Sequence, residues 1–480
     1  MSLANKTTTG ILWNFTEQMS TRGIGIAVSL LLARFLVPAD YGLVAMMAVF
    51  IAVAGTLMDS GFKQALIRKQ GATQADFSTA FYTNLALGCL AYLLLFIAAP
   101  FIADFYDETR LTILIRVAGI AILINSFQVV QSAILNRALN FKAQLKTTVP
   151  ATIISGITAI VLAYLGWGVW ALIAQMLISA FLVTAFLWSM KLWRPTLTFS
   201  LQSLNEMFGF GSKLLLSGLL DTVFSNIYVV VIAKIFSTTV AGHYFFAQNI
   251  KNLVLNQLVS SISTVTYPAL ATMQHDNVTL KAGYRKIIQI TTFLLFPAMA
   301  MMAALAEPLF RVLLHDQWLP AVPYLQLMCI AGLLYPLHAI NLNILKVKGR
   351  SDLFLYLEIV KKVSLVLILL VSIKYGVIGI LIGQIISSVL GYLPNSYFSD
   401  KLIGYSVREQ IGDFLPGLML SGAIAGMVYF AVSVSTLPDL VELIVFGIAA
   451  ATLYLLGAYV LKLQALTLTL QIIKEQRNKN

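Results

Sequence analysis

Apolar runs long enough for the roughly 20 residues that carry a helix across a bilayer recur along the whole chain, separated by short clusters of proline, glycine and charge. With those clusters as boundaries, the pattern predicts fourteen helices, at about 10–36, 41–64, 79–103, 110–136, 146–165, 168–190, 209–236, 241–270, 284–306, 321–346, 354–374, 376–398, 413–434 and 439–462. The expected fold is an all-α polytopic membrane protein.

The pattern also repeats. Ala33, Arg34 and Gly42 return as Ala233, Lys234 and Gly242 at one constant offset, and the run from Tyr164 to Gln175 returns as Tyr375 to Gln384. Six helices therefore repeat as six helices, and an even number keeps the two copies parallel in the membrane. This predicts an N-lobe over residues 1–200 and a C-lobe over 201–400, related by a pseudo-two-fold axis along the membrane normal. Residues 401–480 follow as an appendix of two extra helices and a tail. Two such bundles are the construction of a rocking transporter, with its site between the halves.

Composition removes other classes. Of 480 residues, 59% are apolar and 11% charged, against roughly 25% charged in a soluble domain, which leaves no room for a soluble enzyme unit. The net charge of +12 raises the question of nucleic acid, but its placement answers that question. Counted over alternate loops, 23 of the 32 basic residues fall on one side and six on the other, with Arg22, Lys213 and Lys251 inside or at the edge of helices. That asymmetry sets both termini in the cytoplasm. The two cysteines, Cys89 and Cys329, sit in apolar runs, where a thiol behaves as a small hydrophobe; no disulfide or metal framework is implied.

Charge inside the spans supplies the candidate chemistry, because an ionisable group in hydrocarbon is a functional candidate by default. On the first helix Gln18, Arg22, Gly25 and Ser29 share one stripe, with Glu17 and Thr21 beside it. Ser217 and Asp221 are the counterparts of Glu17 and Thr21 in the second copy, so the halves are expected to present facing polar strips. Arg22 suits a phosphate or pyrophosphate, because its guanidinium offers planar bidentate donors and stays charged; an internal ion pair with Glu17 or Asp221 is the alternative. Gln248 and Lys251, with Asn249 and Asn252, form a polar patch in the eighth helix, read as cavity lining or as interhelical hydrogen bonding. Arg116 and Lys213 lie nearer helix ends, where they can snorkel. Asp59, just before Lys63 and Arg68, reads as a helix-end ion pair, and Pro268, Pro297 and Pro323 as kinks. The histidines, His243, His275, His315 and His338, have no metal-ligand spacing, and there is no phosphate-binding glycine loop or nucleophile elbow. A transporter rather than an enzyme is expected, without cofactor, driven by an ion gradient or the membrane potential.

Several segments carry a family resemblance: Ala33-Arg34-Phe35-Leu36 with Pro38 and Asp40-Tyr41-Gly42; Asp59-Ser60-Gly61-Phe62 with Ala65-Leu66-Ile67; Tyr267-Pro268-Ala269-Leu270; and Gln317-Trp318 with Leu325-Gln326-Leu327 and Gly332-Leu333-Leu334. Together they resemble the polysaccharide transporter branch of the multidrug/oligosaccharidyl-lipid/polysaccharide exporter superfamily, close to its Wzx-type, colanic-acid-like flippases. The resemblance implies two lobes around a V-shaped cavity. It also implies translocation of undecaprenyl-diphosphate-linked oligosaccharide repeat units across the bacterial inner membrane for exopolysaccharide, capsule or lipopolysaccharide synthesis. Membrane lipids, a polysaccharide polymerase and export machinery would be partners, and nucleic acid would not. Family members bind the lipid pyrophosphate with cationic cavity residues, for which Arg22 and Lys251 are the positions here. A drug or cation exporter of the same superfamily and a membrane-embedded glycosyltransferase or polymerase are the alternatives.

Overall fold

The computed structural model describes residues 3–273 and 276–479, without side-chain detail at 3–12, 210, 256–269, 271–272, 346, 351, 472–473 and 475–479. His275 and the side chains of Lys6, Tyr267, Pro268, Ala269, Lys346, Arg477 and Lys479 thus lie outside the described residues. We number the long helical segments α1 Leu3–Phe35, α2 Pro38–Asp59, α3 Gln74–Tyr106, α4 in three pieces from Leu111 to Arg137, α5 Phe141–Tyr164, α6 Val169–Ser189, α7 Leu201–Ile235 and α8 Thr238–Thr272. After these come α9 Asn277–Ala304, α10 in two pieces Val322–Gly332 and Tyr335–Val347, α11 Ser351–Ser372, α12 Gly376–Ile403, α13 Val407–Val434 and α14 Asp439–Val460, then a tail helix Gln464–Lys479.

Among the described residues 10 helical stretches are long and apolar enough to cross a membrane, and 11 when the bent α4 is included. One of them, Asp352–Ile403, holds both α11 and α12, which pack side by side. Adding α1 and α8, which are long but more polar, brings the total to fourteen and matches the sequence pattern. The exposed faces confirm the solvent: on α3 Leu90, Leu93, Leu94, Ile97 and Phe101 are all exposed, an apolar stripe at helical spacing that faces lipid in a membrane protein.

Local sequence sets the ends. Pro38 opens α2, with the Asp40 carboxylate accepting from the Val37 amide at 3.3 Å; Thr73 with Asp76, and Ser406 with Glu409, form capping boxes at α3 and α13. The repeat recurs in the boundaries themselves: α1 ends at Phe35 and α7 at Ile235, while α2 starts at Pro38 and α8 at Thr238.

Three spans are more broken than their apolar runs foretell. The span expected at 41–64 stops at Asp59, because Ser60 and Gly61 are left-handed with φ of 42° and 73°, and a short helix, Phe62–Arg68, follows. The span at 321–346 breaks before Pro336, which lacks an amide hydrogen and crowds the residue preceding it. Within α4 the chain bends by 44° between Ser126 and Val129. Of the expected kinks, Pro297 lies inside α9, whereas Pro323 sits in the first turn of its helix and starts it.

The chain forms two compact units, Met1–Phe245 and Phe246–Asn480. In the first, α1 packs on α5, α5 on α6, and α2 on α3 and α7. Its core joins Leu43, Met46, Leu95, Ile102, Leu114 and Ile115, with a second cluster around Phe62, Phe81, Val130 and Trp193. Without a hydrophobic force between helices in lipid, close approach at small residues does this work. A Cβ on Gly156 of α5 would come within 2.5 Å of Val28 on α1, and one on Gly211 of α7 within 2.4 Å of the Ser60 carbonyl oxygen. In the second unit α9 packs on α13, α11 on α12, and α10 against α9 and α12, around Tyr284, Phe296, Leu337, Ile344, Tyr392 and Tyr405.

Candidate functional site

The first-helix strip is built as a polar face of the first unit. From Arg22 to the end of α1 at Phe35 the rise of 1.5 Å per residue gives about 20 Å, near mid-bilayer. Arg22 is partly buried and engaged by its surroundings. Gly25, on its stripe, has no atom within 4 Å of a built Cβ, so this face of the helix borders open space. Glu17 accepts a hydrogen bond from Thr148 Oγ1 of α5 at 2.9 Å, and Gln18 Nε2 donates to Asn14 Oδ1 at 2.8 Å. Glu17 is thus held by α5. On α7, Asp221 and Lys213 are exposed, and Thr222, next to Asp221, shares a 3.2 Å hydrogen bond with Thr56 of α2.

The other candidates divide. Arg116 turns to α3, its guanidinium 4.2 Å from the Phe96 ring centroid and its Nε donating to the Phe96 carbonyl at 3.4 Å; this cation–π contact anchors α4 on α3 and leaves the strip without it. Gln248 and Lys251 are partly buried on α8 within the second unit, where the Lys251 stem lies 3.8 Å from a Cβ built on Gly332 of α10. A cavity of about 410 Å³ in the second unit, between α9, α13 and α14, is lined by Phe293, Pro297, Met301, Ile424, Ala450 and Tyr454. It has no charged group and offers nothing to a pyrophosphate. Asp59 ends α2, but the expected helix-end ion pair with Lys63 is not formed: its Oδ1 is buried with no hydrogen-bond partner among the described residues.

Sequence reasoning passed over a polar network in the second unit. Ser388, Tyr392, Asn395 and Ser399 of α12 follow the same helical spacing as the strip on α1. Asn341 Oδ1 accepts from Tyr284 and, at 2.8 Å, from Ser399 Oγ; Gln410 Oε1 accepts from Tyr392 and Ser396, each at 2.9 Å. Asp413 accepts from Arg285 and Tyr405, each at 2.6 Å. Lys361, counted with the basic loops, lies well inside α11, paired with Glu358.

Residues 31–323 match the sequence profile described as "Polysaccharide biosynthesis protein". The chain belongs to this family. The lipopolysaccharide biosynthesis protein WzxC of Escherichia coli (strain K12) is 25% identical over 86% of this chain and 84% of its own length. The succinoglycan biosynthesis transport protein ExoT of Rhizobium meliloti (strain 1021) is 26% identical over 87% and 83%. Among solved structures, the lipid II flippase MurJ in an inward closed conformation superposes with a TM-score of 0.73 at 16% identity, over 94% of this chain and 98% of that one. The family member described here is thus a multi-pass membrane protein with that fold.

Proposed function

We propose that the protein is a flippase that carries undecaprenyl-diphosphate-linked oligosaccharide repeat units across the bacterial inner membrane by alternating access, for surface polysaccharide synthesis. The observation that carries this reading is the union of family and fold: a polysaccharide biosynthesis profile over residues 31–323 on a chain that superposes along 94% of its length with a lipid II flippase. The physical problem such a fold solves is polar: a sugar headgroup left in hydrocarbon loses several kcal/mol per unsatisfied group, whereas the prenyl chain can stay in lipid.

In this reading residues 1–200 and 201–400 are the two transport lobes, and both termini lie in the cytoplasm. Arg22 binds the pyrophosphate, with Gln18, Glu17 and Asp221 as neighbours in the strip. Lys251 and Gln248 line the second lobe's share of the path, and a polymerase and export machinery act after it. Deleting the gene in its own bacterium tests this: lipid-linked repeat units should accumulate on the cytoplasmic leaflet while surface polysaccharide is lost. Normal surface polysaccharide without such accumulation would sink the reading.

A further inference from the structure

His338 lies on the second piece of α10, roughly 14 Å before its end at Val347 by helical rise, and is bracketed by α12. Its Nε2 is 3.4 Å from Ser388 Oγ and its Nδ1 is 3.1 Å from the Asn395 side-chain nitrogen. An amide that donates to Nδ1 holds the ring neutral, with its proton on Nε2. Asn395 is 1% exposed and its Oδ1 has no hydrogen-bond partner among the described residues. Half a turn of that amide would present the idle oxygen to Nδ1, so the contact that now serves a neutral ring would accept from an imidazolium. His338 as a residue is partly buried.

Charge is placed beside it. A Cβ on Gly391 of α12 would stand 3.4 Å from His338 Cε1 and 3.7 Å from the Lys361 stem, so ring and stem share that glycine's surface. Lys361 is paired with Glu358 on α11. Exposed Leu355, Ile359, Val363 and Leu367 form the lipid face of α11, and at about 100° per residue Lys361 points roughly opposite to it. From α9, Tyr284 reaches α10 through Asn341; from α12, Tyr392 binds Gln410; Arg285 is paired with Asp413. One turn further along α12, Ser399 Oγ donates to Asn341 at 2.8 Å and lies 3.3 Å from the main-chain carbonyl of Asn395, which places the site at the border of the network joining α9, α10, α12 and α13.

We propose that His338 with Asn395 is a proton-binding site within the second unit, through which a proton gradient acts on transport. One proton adds to Nδ1, the imidazolium carries its charge, and the Asn395 amide turns to accept it. Histidine is the side chain whose ordinary titration falls near neutral pH, and its partner here is a device that accommodates either state. The coupling clause rests on the flippase reading; the protonation site does not.

The test uses full-length protein, labelled with ¹⁵N at histidine, in lipid nanodiscs, with His338→Gln identifying the His338 signals by their loss. Lowering the pH from about 8 to about 5, the range around the ordinary histidine value, should convert a neutral Nε2–H ring to imidazolium. Asn395→Leu, which keeps the ring and removes its acceptor, should lower the midpoint by about one pH unit, a tenfold change in proton affinity. A ring that stays neutral to pH 5, a midpoint unmoved in Asn395→Leu, or a response to sodium chloride in place of choline chloride rather than to acid would each overturn the site. In proteoliposomes, an imposed pH gradient should accelerate movement of a lipid-linked oligosaccharide by the wild type and not by His338→Gln; an equal response in both would overturn the coupling. Should the wild type move no such lipid, the flippase reading fails and the titration alone decides the site.

Discussion

Gly42 and Gly242 meet at a reciprocal crossing: a Cβ on Gly42 would stand 1.9 Å from the Thr238 carbonyl oxygen, and one on Gly242 would stand 1.8 Å from the Pro38 carbonyl oxygen. Each glycine lies in the opening turns of its helix and packs on the first residue of the other. Thr238 and Pro38 keep the same offset as the glycines do. Reciprocal contact between equivalent positions is what a two-fold relation requires, so the internal repeat is written in the packing as well as in the letters.

That crossing allows no side chain, because the obstruction on each side is backbone and cannot rotate away. Gly42→Ala and Gly242→Ala should each destabilise the protein by about 3 kcal/mol or more, at the upper end of overpacking costs. Gly25→Ala, which meets nothing within 4 Å, should be close to neutral. Thermal unfolding in detergent, followed by the loss of a monodisperse peak, ranks the three; equal midpoints for Gly42→Ala and Gly25→Ala would refute the close crossing.

The topology is testable with single cysteines after Cys89 and Cys329 are replaced. Gln74 is a poor reporter, since Trp193 donates to it and it donates to the Arg194 carbonyl; exposed Gln70 and Thr109 serve instead. An impermeant thiol reagent added to spheroplasts should label Thr109→Cys and reach Gln70→Cys only after permeabilisation. The reverse result would invert the orientation drawn from the basic residues.

Arg22→Ala should cut transport by about 100-fold or more with the protein still inserted, since each hydrogen bond to a charged group contributes about 1.5–3 kcal/mol. Arg22→Lys should recover only part, because an ammonium keeps the charge and loses the fork. If Arg22 instead served as an internal partner for Asp221, the double change of both to Ala would restore function by removing two unpaired charges. Rates of headgroup transfer in the three variants separate the cases.

Much of the architecture was legible because two periods run through the sequence: apolar runs of membrane length, and a repeat whose helix ends, Phe35 and Ile235, fall at the same offset. What escaped has physical reasons. The Ser60-Gly61 break hides in an apolar run, since left-handed residues leave hydropathy unchanged. Arg116 was read as a cavity or helix-end charge, and its stacking on Phe96 depends on a ring some twenty residues earlier. The His338 and Asn341 network carries little charge, so a search by charge missed a stripe on α12 that a search by period would have caught. Lys361 was assigned to a loop because a basic residue in a span usually marks its end, whereas here Glu358 neutralises it.

The central claim is that this chain moves a lipid-linked oligosaccharide between leaflets, and transfer in reconstituted vesicles tests it most directly. Purified protein in liposomes carrying a fluorescent undecaprenyl-diphosphate-linked oligosaccharide, challenged from outside with an impermeant reductant, should expose the inner-leaflet pool, so that bleaching runs well past the half expected of a symmetric bilayer. Bleaching that stops at the level of protein-free liposomes, with the protein folded and inserted, would contradict the account.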